Sequence, residues 1–219
     1  RNNDNTPQRL EAEVFVRKGE FLYCRMGANN KLNATQLLKL RVTLWGEGEA
    51  GEKEEEIQEE PTGKYRLGSF WNLAEDMPQA AYASNQGDPK TQYSTNEKIW
   101  FYKYIDWQED EILKAEFLPT TRPWADRDYG YNGWWITPGS PFGDVGFFDN
   151  GNHLYAIPNE GEDLVFAWQS PQDGYYQVEL TRWATWGGAT YSHSMYLYHE
   201  GKMIGKNVSI KDDAPRMIL

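Results

Sequence analysis

The chain has 219 residues, enough to bury a sizeable core as one all-β domain, and its net charge of −11 argues against nucleic acid and anionic membranes as partners. A single cysteine, Cys24, excludes an internal disulfide and any Cys-rich zinc site, and no apolar run reaches the roughly 18 residues of a spanning helix. Aromatic residues make up 15% of the chain, with ten Trp and fourteen Tyr, the residue types favoured where a surface binds something.

Residues 1–8 are polar and predict a flexible arm. Residues 9–46 predict amino-terminal strands that complete the main sandwich or pack on it. Ala12, Val14 and Val16 alternate with Glu13, Phe15 and Arg17, and Lys18-Gly19-Glu20 turns the chain into Phe21–Met26, which reads as a hairpin with Cys24 as a small buried apolar residue. Leu38 to Leu44 is the cleanest alternating strand, aliphatic on its inner face and basic on its outer face. Residues 47–63 form an acidic Gly/Glu-rich loop or linker, in which the stretch from Glu47 to Glu60 holds eight Glu against one Lys.

Residues 64–219 are expected to form the main sandwich. Glu75 to Lys98 reads as a long surface loop, with room for a short helix near Ala80. In the strand Ile99 to Tyr104, the residues Trp100, Tyr102 and Tyr104 share one face, as core or as platform, and Glu109 to Phe117 is open between helical turn and strand. Trp124 to Asn152 is the least regular and most aromatic part, punctuated too closely by Gly and Pro for long elements. Leu164, Phe166 and Trp168 define a half-buried strand; Pro171 and Asp173-Gly174 then predict a tight hairpin into a strand with Tyr176, Val178 and Leu180 inward. After the loop Trp183 to Thr190, Ser194 to Tyr198 alternates again, and Glu200-Gly201 turns it into Met203-Ile204 as a second hairpin. These elements predict an all-β fold, an antiparallel β-sandwich of jelly-roll type with long aromatic-rich loops.

The sequence W-x-x-P-x-x-G-Y-Y-x-V-x-L from Trp168 to Leu180, followed by an irregular loop, an apolar strand and E-G-K-M-I, resembles the second half of extracellular jelly rolls. Carbohydrate-binding modules share this pattern, and C1q/TNF-like modules share it less closely. The resemblance spans roughly Trp134 to Ile210. It implies an extracellular or cell-surface location, with a signal peptide already removed.

Sugar recognition needs ring faces that stack on pyranose C–H groups, flanked by polar groups that bond hydroxyls. Trp124, Tyr129, Tyr131, Trp134 and Trp135 supply rings in the first aromatic segment, with Asp126, Arg127, Asp128 and Asn132 as the polar set. Trp183, Trp186 and Tyr191 with Arg182 supply a second. Asp144, Asp149, Asn150 and Asn152 place oxygen atoms beside turn-forming glycines, a composition suited to a structural calcium ion, though without EF-hand spacing. The three His lie apart, and neither an H-E-x-x-H nor a G-x-S-x-G motif occurs.

The expectation is a non-catalytic module that binds a polysaccharide or other glycan. The alternative is a structural or adhesive subunit that forms a homo-oligomer or filament through aromatic sheet faces. A glycoside hydrolase or polysaccharide lyase built on acidic residues such as Asp126 and Asp128 comes third.

Overall fold

The computed structural model describes residues 7–27, 36–47, 65–74, 76, 99–117, 132–135, 146–149, 154–158, 161–184 and 193–209. These build an antiparallel β-sandwich of two sheets. Its strands are β1 (Gln8–Val16), β2 (Phe21–Gly27), β3 (Gln36–Gly46), β4 (Phe70–Asn72), β5 (Trp100–Asp106), β6 (Glu116–Phe117) and β7 (Asn132–Trp135). They continue with β8 (Gly146–Asp149), β9 (Leu154–Ile157), β10 (Glu162–Gln169), β11 (Gly174–Ala184), β12 (His193–His199) and β13 (Lys202–Ser209). The first sheet, A, runs β1-β11-β3-β9-β8-β7, with β4 also paired to β3; the second, B, runs β13-β12-β2-β10-β5-β6. Strands β1 to β3 are thus built into both sheets.

The alternation read from the sequence places the core correctly. Leu38, Leu40, Val42 and Leu44 of β3 and Tyr176, Val178 and Leu180 of β11 face Leu22, Cys24, Met26, Leu164, Phe166 and Trp168 of sheet B. Burial pushes the Cys24 thiol well above its ordinary range, which keeps it protonated. Trp100 and Tyr102 are core, not platform. One end of the sandwich is filled by rings, Trp71 lying 5.3 Å from Trp168 and Trp168 4.9 Å from Tyr176. Glu200 and Gly201 adopt φ of 45° and 83°, the paired positive values of a type I′ turn, and β12 and β13 form the expected hairpin.

Two predicted hairpins are instead crossings between sheets. β1 lies in sheet A and β2 in sheet B, and β10 and β11 are divided in the same way. The two corners pair with each other: Gly19 N donates to Ser170 O at 2.8 Å, Ser170 N to Glu20 O at 2.9 Å, and Lys18 N to Asp173 Oδ1 at 2.6 Å. The chain therefore folds as a doubled ribbon that turns over one end of the sandwich. Its rungs are nested, β1 with β11, β2 with β10, β3 with β9 and β5 with β6. Where the sheets meet at the other edge, Asn207 Nδ2 donates to Arg9 O at 3.0 Å across β13 and β1.

The second departure concerns β10, which is buried on both faces rather than one. Val165 and Ala167 of its outer face are covered, with Tyr23, Tyr198 and Ile105, by a strap over residues 107–115 that carries Ile112 and Ala115. This is the stretch left open between turn and strand; it forms a 3₁₀ turn at Ile112–Lys114 and then β6. Arg25 fastens it. Its Nε donates to Asp163 Oδ2 at 2.7 Å, while its terminal nitrogens donate to the carbonyls of Glu109 (2.5 Å), Trp107 (2.8 Å) and Asp106 (3.3 Å). Gly27 makes room for this group, since a Cβ there would stand 2.7 Å from Asp163 Oδ1 and 2.6 Å from Ser194 Oγ.

Burial raises the Asp163 carboxyl to about 6, outweighing the attraction of Arg25, and nearby Asp106 adds to the rise. Folded Asp163 holds its proton more tightly than unfolded Asp163. Its contribution to stability is full below the usual aspartate range and is lost as pH rises through about 6. Chemical denaturation across this window should show a stability that falls with rising pH, and Asp163→Asn should flatten that slope. Arg25→Met strands a buried carboxylate and the carbonyls of Asp106, Trp107 and Glu109, so it should cost about 3–5 kcal/mol and speed amide exchange in 107–115.

Candidate ligand-binding face

The strap covers part of the outer face of sheet B, and among the described elements the outer face of sheet A carries no such cover. Its occupants follow from phase: wherever Leu38, Leu40, Val42 and Leu44 point inward, Lys39, Arg41, Thr43 and Trp45 point outward. On β11 the outward set is Tyr175, Gln177, Glu179, Thr181 and Trp183, and on β1 it is Arg9, Glu11, Glu13 and Phe15. Register lines these up in rows, Phe15 beside Tyr175, Glu13 beside Gln177 and Thr43, and Glu11 beside Glu179 and Arg41. β4 adds Phe70 next to Thr43 and Asn72 next to Arg41.

The face has an aromatic end, a polar middle and a second aromatic position. At the first end Tyr175 meets Phe15 edge-on at 5.1 Å and Trp45 at 5.8 Å. Trp45 and Phe70 are each 48% exposed, a large apolar area to leave in water on a sheet with a well-filled core beneath it. The Arg41 guanidinium lies over the Phe70 ring at 4.1 Å, a contact worth roughly 0.5–1 kcal/mol at an exposed site, which also fixes the ring orientation. Toward the far end Lys39 Nζ stands 6.0 Å from the Trp183 ring. From Tyr175 to Trp183 is eight residues of β11, roughly 27 Å at the usual strand rise. The arrangement offers rings at intervals along one sheet face with donors and acceptors between them.

Of the residues singled out from the sequence, Trp183 lies on this face, half-buried. Arg182 does not: strand alternation turns it inward, where it is buried, donates to Gln8 Oε1, and has its pKa lowered to about 10 by burial. This corrects its assignment as a surface ligand contact. Asn132, Trp134 and Trp135 form β7, whose backbone pairs Asn132 with Asp149 and Trp134 with Phe147 on β8. Through β8 and β9 that strand joins β3, so both aromatic segments feed the same sheet. Trp124, Asp126, Arg127, Asp128, Tyr129, Tyr131, Trp186, Tyr191, Asp144, Asn150 and Asn152 lie outside the described residues, as do the arm at 1–6 and most of the acidic loop. Among the described residues no group of three or more His, Cys, Asp or Glu is placed to hold a metal ion.

Sequence reasoning missed Phe15, Trp45, Phe70 and Tyr175. Three of them carried a readable signal, because Phe15, Trp45 and Tyr175 are aromatic residues standing in the polar phase of strands whose apolar phase was already filled. Phe70 carried none, since β4 spans only three residues, too few for a period.

Comparison with protein-family models, with curated protein sequences and with solved structures finds no match to this chain. What the fold defines is the class: an aromatic-rich, all-β antiparallel sandwich.

If the exposed rings serve a surface role, removing them should barely affect folding. Trp45→Ala and Phe70→Ala should change unfolding free energy by no more than about 1 kcal/mol, whereas Trp71→Ala, one residue along but buried, should cost about 3–5 kcal/mol. Urea denaturation of the three variants measures the contrast.

Proposed function

We propose that this protein binds a glycan without acting on it chemically, as an extracellular module, through the outer face of sheet A. The observation that carries the reading is the placement of half-exposed Trp45 and Phe70 with Phe15, Tyr175 and Trp183 on one face, interleaved with Arg41, Lys39, Glu179 and Gln177. Rings in this setting stack on the C–H faces of pyranoses, and the charged and amide groups between them suit hydroxyls. A flat face of this length fits an extended chain of sugars better than a single unit.

The nested pairing of β1 with β11, β2 with β10, β3 with β9 and β5 with β6 supports reading the sandwich as a jelly roll, with β12-β13 and β7-β8 as added edge hairpins. Sites at which aromatic residues line one sheet of such a sandwich agree with the resemblance drawn from Trp168 to Leu180.

A second reading, self-association, is favoured by a different observation. Leu113 on the strap is 57% exposed and Met203 on β13 is 45% exposed, both near the turn at Gly201. If this patch joins copies of the chain, Leu113→Ser with Met203→Ser should return an oligomer to monomer in light scattering and leave glycan affinity unchanged.

For the leading reading, affinity electrophoresis against a panel of soluble polysaccharides should retard the wild-type chain on at least one. Trp45→Ala and Trp183→Ala should each weaken that interaction by about tenfold with unchanged thermal stability. Equal retardation of wild type and both variants would place binding elsewhere.

A further inference from the structure

The outer face of sheet A is divided by charge. Its β1 side carries Glu11 and Glu13, whereas β3 turns Lys39 and Arg41 outward and contains no carboxylate. The two cations stand on alternate residues of one strand, about 7 Å apart at the usual rise, and both are exposed. β4 extends this side of the face with Phe70 and Asn72 and adds no charge. The strip is cationic in a chain whose net charge is −11.

Arg41 is the better prepared of the two. Its guanidinium lies 4.1 Å from the centre of the Phe70 ring, which is itself 48% exposed, and neither residue belongs to either core. The contact crosses one row of the sheet, since Arg41 pairs with Asn72 and Phe70 with Thr43. Glu179 is the register partner of Arg41 on β11, the ordinary place for a cross-strand ion pair. Arg41 lies over the ring instead, and no carboxylate among the described residues is within bonding reach of it. A guanidinium presents five N–H donors in a planar fork that matches both oxygens of a carboxylate. Among the described residues the donors of this fork meet no acceptor, so it is held in place by a ring and left unspent on an uncovered face.

We propose that this face selects glycans that carry carboxylates, with Arg41 binding the carboxylate of a uronic-acid unit and Lys39 adding a second cation beside it; this rests on sheet A being the glycan-binding face. Trp45, further along β3 and 48% exposed, takes the C–H face of a neighbouring unit. Phe70 positions the guanidinium before the ligand arrives, so less side-chain entropy is lost on binding. A neutral sugar offers Arg41 only hydroxyls, and these make weaker bonds to a guanidinium than a carboxylate does. Selection therefore comes from the acid group and not from the stacking.

The test is a fluorescence titration with polygalacturonate, alginate and hyaluronan, each beside the same polymer with its carboxylates reduced to alcohols, at about 0.15 M salt so that distant charges are screened. At least one carboxylated polymer should bind about tenfold tighter than its reduced form. Arg41→Gln should erase that difference while leaving affinity for the reduced form within about twofold. Arg41→Lys keeps the charge without the fork and should lose most of the preference. Lys202→Gln removes an exposed charge from β13 and should leave the preference intact, which separates a site from an effect of net charge. Equal affinity for the carboxylated and reduced forms would overturn the selection and leave glycan binding standing. A preference that survives Arg41→Gln, or tighter Arg41-dependent binding of dextran sulfate than of any carboxylated polymer, would overturn it as well. Binding to none of the polymers in either form would overturn the glycan reading and this inference together. Should Arg41→Gln fail to fold, Phe70→Leu serves in its place, and an undiminished preference there overturns the proposal equally.

Discussion

One guanidinium holds the strap that covers the middle of sheet B. Arg25 sits on the outer side of β2, buried with Asp163, and its remaining donors are spent on the backbone carbonyls of Trp107 and Glu109 in the strap and of Asp106 just before it. A strap of irregular backbone crossing a sheet leaves carbonyls that need partners, and burying them without donors would cost more than the strap's apolar contacts return. Arg25 is therefore the condition for the second small core of Tyr23, Val165, Ala167, Tyr198 and Ile112. The same charge carries a penalty: its partner Asp163 is desolvated enough that its proton is held to higher pH. The pair holds the strap that covers Val165 and Ala167 on the outer side of β10.

The doubled ribbon supplies the complementary constraint. Since the corners at 17–20 and 170–173 bond to each other, β1 and β11 are delivered side by side into sheet A while β2 and β10 go side by side into sheet B. β3 then completes sheet A next to β11, and the outward phases of β1, β11 and β3 fall into register. The row of Phe15, Tyr175 and Trp45 is a product of that register, assembled from positions far apart in the chain.

Strand phase was legible in the sequence and strand partnership was not. Leu38 to Leu44 and Tyr176 to Leu180 announce their inner faces because alternation depends only on local geometry. The Lys18-Gly19 and Asp173-Gly174 turns reverse the chain whether the next strand joins the same sheet or the facing one, so both read as hairpins and proved to be crossings. The burial of Val165 and Ala167 was hidden for a related reason, because the strap that covers them is distant in sequence and has no period of its own. Arg182 shows the cost of reading a site by proximity to an aromatic: it adjoins Trp183 in sequence, yet one step along a strand places it on the other side of the sheet. Trp45 shows the remedy, since an aromatic in the polar phase of a clear strand is a surface feature that asks for a use.

The central claim is that the outer face of sheet A is the surface that meets ligand. Hydroxyl-radical footprinting of the free chain, and of the chain saturated with a polysaccharide that retards it, tests this most directly. The account predicts that Trp45, Phe70 and Trp183 oxidise readily when free and are protected when bound, while buried Trp71 and Trp168 are slow in both states. Protection that leaves Trp45 and Phe70 as reactive as before would contradict it.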